Sequence, residues 1–497
     1  MLFNSYIFIL CFLPISVLGY FSINKILSTQ GEWPALAWLS FVSFCFFAYA
    51  GIEFIPVLLG SILCNYGLGY GIKKQNSLFI RKLILCIGIG LNLILLFYFK
   101  YIPFFQEILK PLKDILGEIQ IAVPLGISFF TFSQISYLVD CYKMTGCEQY
   151  GFLKYCTYIS FFPKLTMGPI ALANDFMSNI KIKTKPEYGN LGKGIYLFSL
   201  GLAKKILLAD LLANIVSIGY SDVAQMNTIT AIVVMLSYTF QLYFDFSGYC
   251  DMAVGIGLLF NIELPVNFDS PYGARTIGEF WKRWHITLTR FFTGYLYIPL
   301  GGNKKGKLRT YFNTLIVFLI SGLWHGANWT FLFWGGIHGS CMVLEKLIKD
   351  MGLTFKELPI IVRKIKESVQ WIFTFGIVNV AWIFFRAESV EQAVNFLKQM
   401  TVGGWQISEG IIEYVKDIIE IRILMRLGLD SFVEGYPSLF IILLLVAIMW
   451  ICLFKQNTNE KAKYFNFSKG KGVITVILLL WCIISLSNIS EFLYFDF

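Results

Sequence analysis

Apolar residues along this chain gather into long continuous blocks that are separated by short polar stretches. Because apolar and polar positions do not alternate within the blocks, the pattern predicts helices rather than the strands of a membrane barrel. A helix that crosses a bilayer needs about 20 such residues. The blocks that come closest to this length run from Tyr6 to Phe21, Phe54 to Ile72, Leu83 to Phe99, Ile232 to Phe246, Ser438 to Leu453 and Val473 to Ile489.

Less continuous apolar blocks bring the predicted number of membrane segments to about 11 to 13. No basic residue precedes the first block and no small-residue cleavage site follows it, so we expect a retained span and not a removed signal peptide. No repeat or long linker divides the chain, which predicts a single all-α polytopic membrane domain over residues 1–497. The additional blocks are 35–50, 121–139, 152–170, 194–220, 311–334 and 371–385.

The polar intervals between the blocks predict loops that contain short surface helices. In the last interval, Ile and Leu recur at helical spacing between Glu413, Lys416, Asp417 and Glu420, as in a helix that lies in the membrane interface. The intervals are 103–120, 171–192, 346–369 and 402–436.

The composition also indicates a membrane protein, since 57% of residues are apolar and only 14% are charged, against about 45–50% and 25% in soluble domains. The lipid bilayer is therefore the first predicted partner. The net charge of +10 comes largely from short basic loops, which the positive-inside rule explains without nucleic acid. The 11 cysteines mostly lie in apolar blocks and lack metal-type spacing, so neither a disulfide frame nor a metal site is predicted. The basic loops contain Lys73, Lys74, Arg81 and Lys82; Lys304, Lys305, Lys307 and Arg309; and Arg363, Lys364 and Lys366.

The region 240–340 differs from plain membrane-span composition. Between Asp245 and Pro299 it mixes aromatic residues, Gly, Pro and charges, which is typical of broken or re-entrant segments that protein shields from lipid. All three histidines of the chain, His285, His325 and His338, lie in this region. We therefore predict that the site of chemistry lies here.

His325 lies in SGLWHGANW, directly after the apolar run TLIVFLI, and should sit at membrane depth. Gly322 and Gly326 leave room for another backbone or a ligand to approach. An intramembrane position favours a functional histidine, and the alternative is a buried histidine that only satisfies its hydrogen bonds. His338 follows at about 220° around an ideal helix, so it is predicted to point elsewhere and to have a structural role.

His285 lies in EFWKRWHITL. As one helix, this segment places Trp281, Trp284 and His285 on one face, while Lys282 and Arg283 project elsewhere. An interfacial aromatic belt with snorkelling cations is the alternative to a functional role.

Known reactive signatures such as GxSxG, HExxH, the P-loop and the HxxxxD of soluble acyltransferases do not occur in the sequence. At the histidine segments the sequence instead resembles the membrane-bound O-acyltransferase family, and within it the membrane subunits of bacterial alginate and peptidoglycan O-acetylation. The resemblance covers most of the chain, although residues 1–100 match mainly in hydropathy. Its motifs are PLGISFFTFSQISYLVDCY (124–142), FFPKLTMGPI (161–170), GLAKKILLADLLA (201–213), YFDFSGYCDMAVGIGLLF (243–260), FWKRWHITL (280–288), PLGGNKKGKLRTYFN (299–313), SGLWHGANW (321–329), NVAWIFFRAESVEQAVNFLKQM (379–400) and EFLYFDF (491–497).

This resemblance implies a helical bundle around a tunnel, with a family core at residues 100–400 and additional C-terminal membrane segments at 437–490. It implies that His325 is the active-site residue and that His285 is also important. Arg275, Lys282 and Arg283 are candidates for holding donor phosphates, with interfacial anchoring as the alternative. The complete set of further substrate-binding candidates is Trp324, Asn328, Trp284, Arg283, Lys282, Arg275 and Asp245.

The reaction that the resemblance implies passes an acyl group, in the first place acetyl, from a cytosolic thioester to a polysaccharide outside. The donor would be acetyl-CoA or a carrier-protein thioester, with no bound cofactor. His325 would act as general base or as nucleophile, and His285 would orient the thioester or polarise its carbonyl. The expected setting is the cytoplasmic (inner) membrane of a bacterium, with an extracytoplasmic SGNH-type transferase or acceptor protein as partner and the polysaccharide as final acceptor.

Three other functions remain open at this point. The related D-alanyl transfer to teichoic acid shares both histidine motifs. A transporter would use Lys204, Lys205, Asp210 and Asp245 as an ion path, although no internal repeat is visible. A haem protein would use two of the histidines as axial ligands.

Overall fold

The computed structural model describes residues 1–102, 104–105, 121–144, 150–180, 182, 185–352, 359–486 and 492–493. Within these ranges the chain forms helices and connecting loops, and no strand occurs in them. This confirms the predicted all-α class of membrane protein. The predicted interval 103–120 lies almost entirely outside the described residues.

Six of the described helices are long and apolar enough to cross a membrane. Pro56 and Pro437 lie in the first turns of α-helices in these spans, where the missing N–H of proline costs no hydrogen bond. The six helices are Ile7–Ile26, Ile52–Lys74, Leu78–Tyr101, Thr228–Leu259, Ile360–Arg386 and Pro437–Phe454.

The other predicted blocks form shorter or interrupted helices. The block 152–170 is split at Phe161 into two short helices. The block 194–220 continues from one helix to the next through a π-helical turn, Lys204–Ala209. The main helices of this group are Trp33–Ala48, Ile127–Lys143, Phe152–Ser160, Tyr188–Ala203, Asp210–Ser221, Lys307–His325, Trp329–Asp350 and Lys469–Ser485.

Short helices form most of the remaining described chain. In the interval 402–436, the helix Glu409–Asp417 buries Ile411 and Val415 while its charged residues face outward, which is the amphipathic pattern predicted there. The other short helices are Ala173–Asn179, Ile277–Arg283, Ile286–Phe292, Val390–Gln399, Ile419–Leu424, Asp430–Gly435 and Thr458–Lys463.

The helix Thr228–Leu259 forms the centre of the bundle. In its most apolar stretch 78% of residues are buried, against 17% in Leu78–Tyr101. The helix Tyr188–Ala203 packs against it at backbone contact, because a Cβ on Gly201 would lie 2.5 Å from the carbonyl oxygen of Gly248. Such close approach requires small residues, which drive helix association in membranes where a difference in hydrophobicity cannot.

A tight helical hairpin carries the segment with His325. Its first helix, Lys307–His325, and its second, Trp329–Asp350, are joined by only three residues. Glycines line the contact between them, since a Cβ on Gly322 would lie 2.3 Å from the carbonyl oxygen of Phe331. The room that the sequence predicted at Gly322 is therefore filled by another backbone.

Candidate active site

His325 is the last residue of its helix, and its backbone is held by two residues from another helix. The Lys100 Nζ donates to the carbonyl oxygens of Trp324 at 2.6 Å and of His325 at 3.0 Å. The Tyr101 hydroxyl donates to the carbonyl oxygen of Leu323 at 2.9 Å. The final carbonyls of a helix have no partner within it and carry partial negative charge. A half-buried ammonium and a phenol therefore fix the end of the helix that presents His325.

Three aromatic rings surround the His325 imidazole. The ring centroids of Trp324, Trp334 and Phe385 lie 4.8, 5.0 and 5.1 Å from that of His325, all in edge-to-face orientation. The residue is only 3% exposed. The imidazole is thus kept from water in a dry aromatic environment, where polar interactions with a substrate would be strong.

His285 adopts a left-handed backbone conformation, with φ of 43°. It lies between the helices Ile277–Arg283 and Ile286–Phe292, so the expectation of one continuous helix through Trp281 and His285 is wrong. The physical reason is a tertiary contact, because the backbone N–H of Ile286 donates to the carbonyl oxygen of Asn267 at 3.0 Å.

The Asn267 side chain orients the His285 ring. Its Oδ1 accepts from the backbone N–H of Thr287 at 3.2 Å and from the Thr287 hydroxyl at 2.8 Å, and it lies 3.1 Å from His285 Nδ1. An amide oxygen can only accept, so Nδ1 of His285 carries the proton in this contact. The Nε2 of the neutral ring is then an acceptor.

Trp324 brings His285 and His325 together. Its ring centroid lies 6.2 Å from that of His285 and 4.8 Å from that of His325. Phe132 stacks on the other side of the indole at 5.2 Å, and Phe246 packs edge-to-face on His285 at 4.8 Å. The two histidines that the sequence singled out therefore both lie beside the Trp324 indole.

His338 returns to the same aromatic cluster. Its ring lies 5.2 Å from Trp334, the residue that also contacts His325, and its Nδ1 accepts from Trp281 Nε1 at 3.3 Å. The expectation that His338 points elsewhere assumed a continuous helix. The chain instead breaks after His325 and folds back.

The three candidate cations lie at the exposed edge of the helix Ile277–Arg283. Arg275 pairs with Glu367 at 3.1 Å and is 52% exposed, and Arg283 pairs with Glu279 at 2.6 Å. Lys282 is exposed as well. The structure does not place these cations among the rings around His325, and their role in donor binding remains a prediction.

The other candidates have defined structural contacts. Trp284 is buried against Trp382 and Tyr272, at 5.0 and 6.0 Å. Asn328 caps the second hairpin helix, because its side chain accepts from the Thr330 N–H at 3.0 Å.

Asp245 belongs to a buried ion cluster. Lys205 Nζ lies 2.7 Å from Asp245 and 2.9 Å from Asp210. The backbone N–H of Leu493 donates to the other Asp245 oxygen at 3.0 Å. The carboxylate is therefore committed to a cation and to the C-terminal segment.

Comparison with known proteins bears on what this arrangement does. The sequence model of MBOAT, the membrane-bound O-acyltransferase family, matches residues 119–383, which include all three histidines. A peptidoglycan O-acetyltransferase of Helicobacter pylori is 36% identical over the whole of this chain and 98% of its own length. The chain belongs to the membrane-bound O-acyltransferase family. The predicted family and the predicted enzyme class, an O-acyltransferase, are thereby confirmed.

Two further relatives show how far the similarity extends within the membrane-bound O-acyltransferases. A probable alginate O-acetylase AlgI of Pseudomonas putida is 34% identical, over 82% of this chain and 82% of its own length. A teichoic acid D-alanyltransferase of Bacillus subtilis is 27% identical over only 47% of this chain. The similarity to the O-acetylating relatives therefore includes much more of the chain, in agreement with the predicted branch.

In this membrane-bound O-acyltransferase the sequence interpretation missed Lys100, Tyr101 and Asn267. Lys100 and Tyr101 lie at the end of an apolar block, and their contacts with the His325 helix are tertiary. Asn267 begins NFDSPYG (267–273), a turn-rich segment that lies before His285 in the chain. The polar residues of this segment do not indicate in the sequence which side chains they contact. Only the folded chain brings these side chains to the histidines.

We predict that Asn267→Ala lowers the rate of acyl transfer by about 10²-fold, since a misoriented group at a reacting centre costs about that much. Cys250→Ala is the control, because Cys250 contacts the Asn267 amide nitrogen at 3.2 Å and its loss spares the contact to His285. The kcat of both variants is measured in membranes with equal amounts of enzyme. Equal rates for the two variants would show that the orientation of His285 is not required.

Proposed function

We propose that this enzyme takes an acetyl group from a cytosolic thioester, acetyl-CoA or an acetylated carrier protein, and delivers it for O-acetylation of a polysaccharide outside the cytoplasmic membrane of a bacterium. The observation that carries the proposal is that His285 and His325, both buried, lie beside the same Trp324 ring within residues 119–383, the region that matches the family. Peptidoglycan is the first candidate for the polymer, because the Helicobacter relative matches the whole chain.

His325 is the proposed general base. Its imidazole takes the proton of the acceptor hydroxyl while the hydroxyl oxygen attacks the thioester carbonyl. The carbon–oxygen bond forms, the carbon–sulfur bond breaks, and the departing thiolate receives the proton. Lys100 and Tyr101 support this step by fixing the end of the helix that presents the ring.

His285 is proposed to orient the donor. The contact of its Nδ1 with Asn267 makes Nε2 an acceptor. An acceptor suits an N–H group of the donor arm, whereas polarisation of the thioester carbonyl would require a hydrogen-bond donor. The geometry therefore favours orientation of the donor over polarisation of its carbonyl.

The acceptor that receives the acetyl group first is proposed to be a hydroxyl on an extracytoplasmic partner of the SGNH type, which then modifies the polysaccharide. The basic loop with Lys304, Lys305 and Lys307 supports a cytosolic entrance for the donor, because positive loops remain on that side. A D-alanyl donor is less well supported, since similarity to the D-alanyltransferase covers less than half of the chain.

Inside-out membrane vesicles provide the test. Vesicles from cells that contain the enzyme, the candidate partner and peptidoglycan precursors are given acetyl-CoA labelled in the acetyl group. We expect base-labile label in the polymer within the vesicle lumen, and none in vesicles without the enzyme. If label enters the polymer only when a labelled D-alanyl carrier protein is supplied in place of acetyl-CoA, the proposed donor is wrong. If label from acetyl-CoA appears only in a polymer other than peptidoglycan, the proposed acceptor is wrong. Unchanged polymer esters in cells that lack the enzyme would overturn the function.

A further inference from the structure

A large crevice lies between the C-terminal helices and the rest of the bundle. It encloses about 820 Å³, a size that holds a substantial ligand. The helices Pro437–Phe454 and Lys469–Ser485 form one wall, Tyr188–Ala203 and its continuation form the other, and Tyr243 and Phe244 of the central helix form the floor. None of the described residues that line the crevice is one of the aromatic rings around His325.

The two ends of the crevice differ in chemistry. Lys204, Lys455 and Lys461 lie at the end formed by the loop that follows Phe454. Leucine and isoleucine side chains line the wall beyond them, and the far end is closed by Trp481, whose Nε1 donates to Glu420 at 3.2 Å. The crevice is therefore basic at one end and apolar along most of its length.

The basic end has an excess of positive charge. Lys204 is neutralised by Asp251 at 2.6 Å, whereas no carboxylate that lines the described crevice lies beside Lys455 and Lys461. Burial lowers the pKa of Lys461, the nearby Lys204 and Lys455 charges lower it further, and Asp251 opposes this. Three ammonium groups lie close to each other here, and of the three only Lys204 forms an ion pair with a carboxylate among the described residues, which leaves a place for an anion.

The apolar part of the crevice opens toward the surface that faces lipid. Among the residues that line the crevice on the helix Pro437–Phe454, Ile451 is 41% and Phe454 is 72% exposed. Trp481, at the far end of the crevice, is 44% exposed. Apolar side chains exposed to this degree on a membrane helix face the bilayer. Hydrocarbon can therefore enter the crevice from the side.

We propose that this crevice binds an anionic glycerophospholipid, with the phosphate at Lys455 and Lys461 and an acyl chain along the apolar wall. A soluble phosphate compound would use only the basic end, whereas a membrane lipid uses both ends. Basic residues between membrane helices on the cytoplasmic side suit lipid headgroups, and the loop 455–468, which carries Lys455, Lys461 and Lys463, joins these two helices. The site is separate from the proposed acetyl transfer and does not depend on it.

The test is lipid retention by the purified, delipidated full-length protein, measured by native mass spectrometry with added phosphatidylglycerol or phosphatidylcholine. We expect preferential retention of phosphatidylglycerol by the wild-type protein. The double variant Lys455→Gln/Lys461→Gln should bind phosphatidylglycerol about 30-fold more weakly, since each of the two basic residues contributes about 1 kcal/mol to the binding of anionic lipid. The control Lys469→Gln/Lys471→Gln removes the same charge from the first turn of the next helix, where neither lysine lines the crevice.

Equal binding by the two double variants would overturn the proposal, as would equal retention of both lipids by the wild-type protein. Displacement of the lipid by millimolar inorganic phosphate would show a phosphate site without a role for the acyl chain, which also contradicts it. A map of the enzyme in phosphatidylglycerol nanodiscs should show lipid density in the crevice, and density for a protein helix there would overturn the assignment. Thermal unfolding of each variant shows whether it is folded.

Discussion

Replacement of His325 by alanine is expected to lower acyl transfer by about 10³-fold while membrane insertion and protein abundance stay normal. The reason is the loss of the proposed general base, which typically contributes about 10²–10⁴-fold. The substitution should leave the backbone in place, because the carbonyl oxygens of residues 323–325 are held by Lys100 and Tyr101 and not by the imidazole. The measurement is the amount of ester released from the polymer by mild base, normalised to enzyme in the membrane.

The variant His325→Gln separates chemistry from packing. It fills part of the space between Trp334 and Phe385 but supplies no base. Both variants should therefore be folded and inactive. Wild-type ester levels in either variant would eliminate His325 as the base, and loss of the protein in both would assign the residue a structural role.

The second large effect is expected from a single added methyl group in the hairpin. Alanine is favoured over glycine inside a helix by about 1 kcal/mol, yet Gly335→Ala should destabilise the protein. The added Cβ would lie 2.4 Å from the carbonyl oxygen of Phe318, too close for any side-chain adjustment to relieve. Overpacking of this kind costs about 1–3 kcal/mol or more, and it moves the two helices that position His325.

The adjacent Gly336→Ala is the matched control for this change. The nearest neighbour of its added Cβ would be Leu319 Cδ2 at 4.0 Å, an ordinary van der Waals contact. The unfolding temperature in detergent is therefore expected to fall for Gly335→Ala and to stay the same or rise for Gly336→Ala. Similar unfolding temperatures for the two variants would contradict the close contact between the hairpin helices. Acyl transfer should decrease in Gly335→Ala alone.

The continuous runs of apolar residues predicted most of the membrane helices, because each span consists mainly of one such run. They could not show which helix is central. The most apolar stretch of the helix Thr228–Leu259 has a mean hydropathy of 1.4, lower than the 2.8 of the more exposed Pro437–Phe454. A helix that is enclosed by protein can carry polar residues that make contacts there, whereas a lipid-facing helix cannot. High hydropathy therefore indicates contact with lipid, not a central position.

The site was predicted in part. The three histidines and their aromatic neighbours were visible in the sequence, but their arrangement depends on two breaks in helical structure. Asn328 could have been recognised as the cap of a new helix after His325, and this would have brought His338 back toward the site. The left-handed backbone at His285 depends on Asn267, a contact that no periodicity contains.

The contacts of Lys100 and Tyr101 show that the physical unit of this enzyme is larger than the region that defines its family. The family match starts at residue 119, yet the donors to the carbonyl oxygens of Leu323, Trp324 and His325 come from before it. A chain cut at that boundary would keep every histidine and lose the groups that close the His325 helix. We therefore expect that the family region of this chain can be exchanged with that of a relative only if the segment with Lys100 and Tyr101 is exchanged with it.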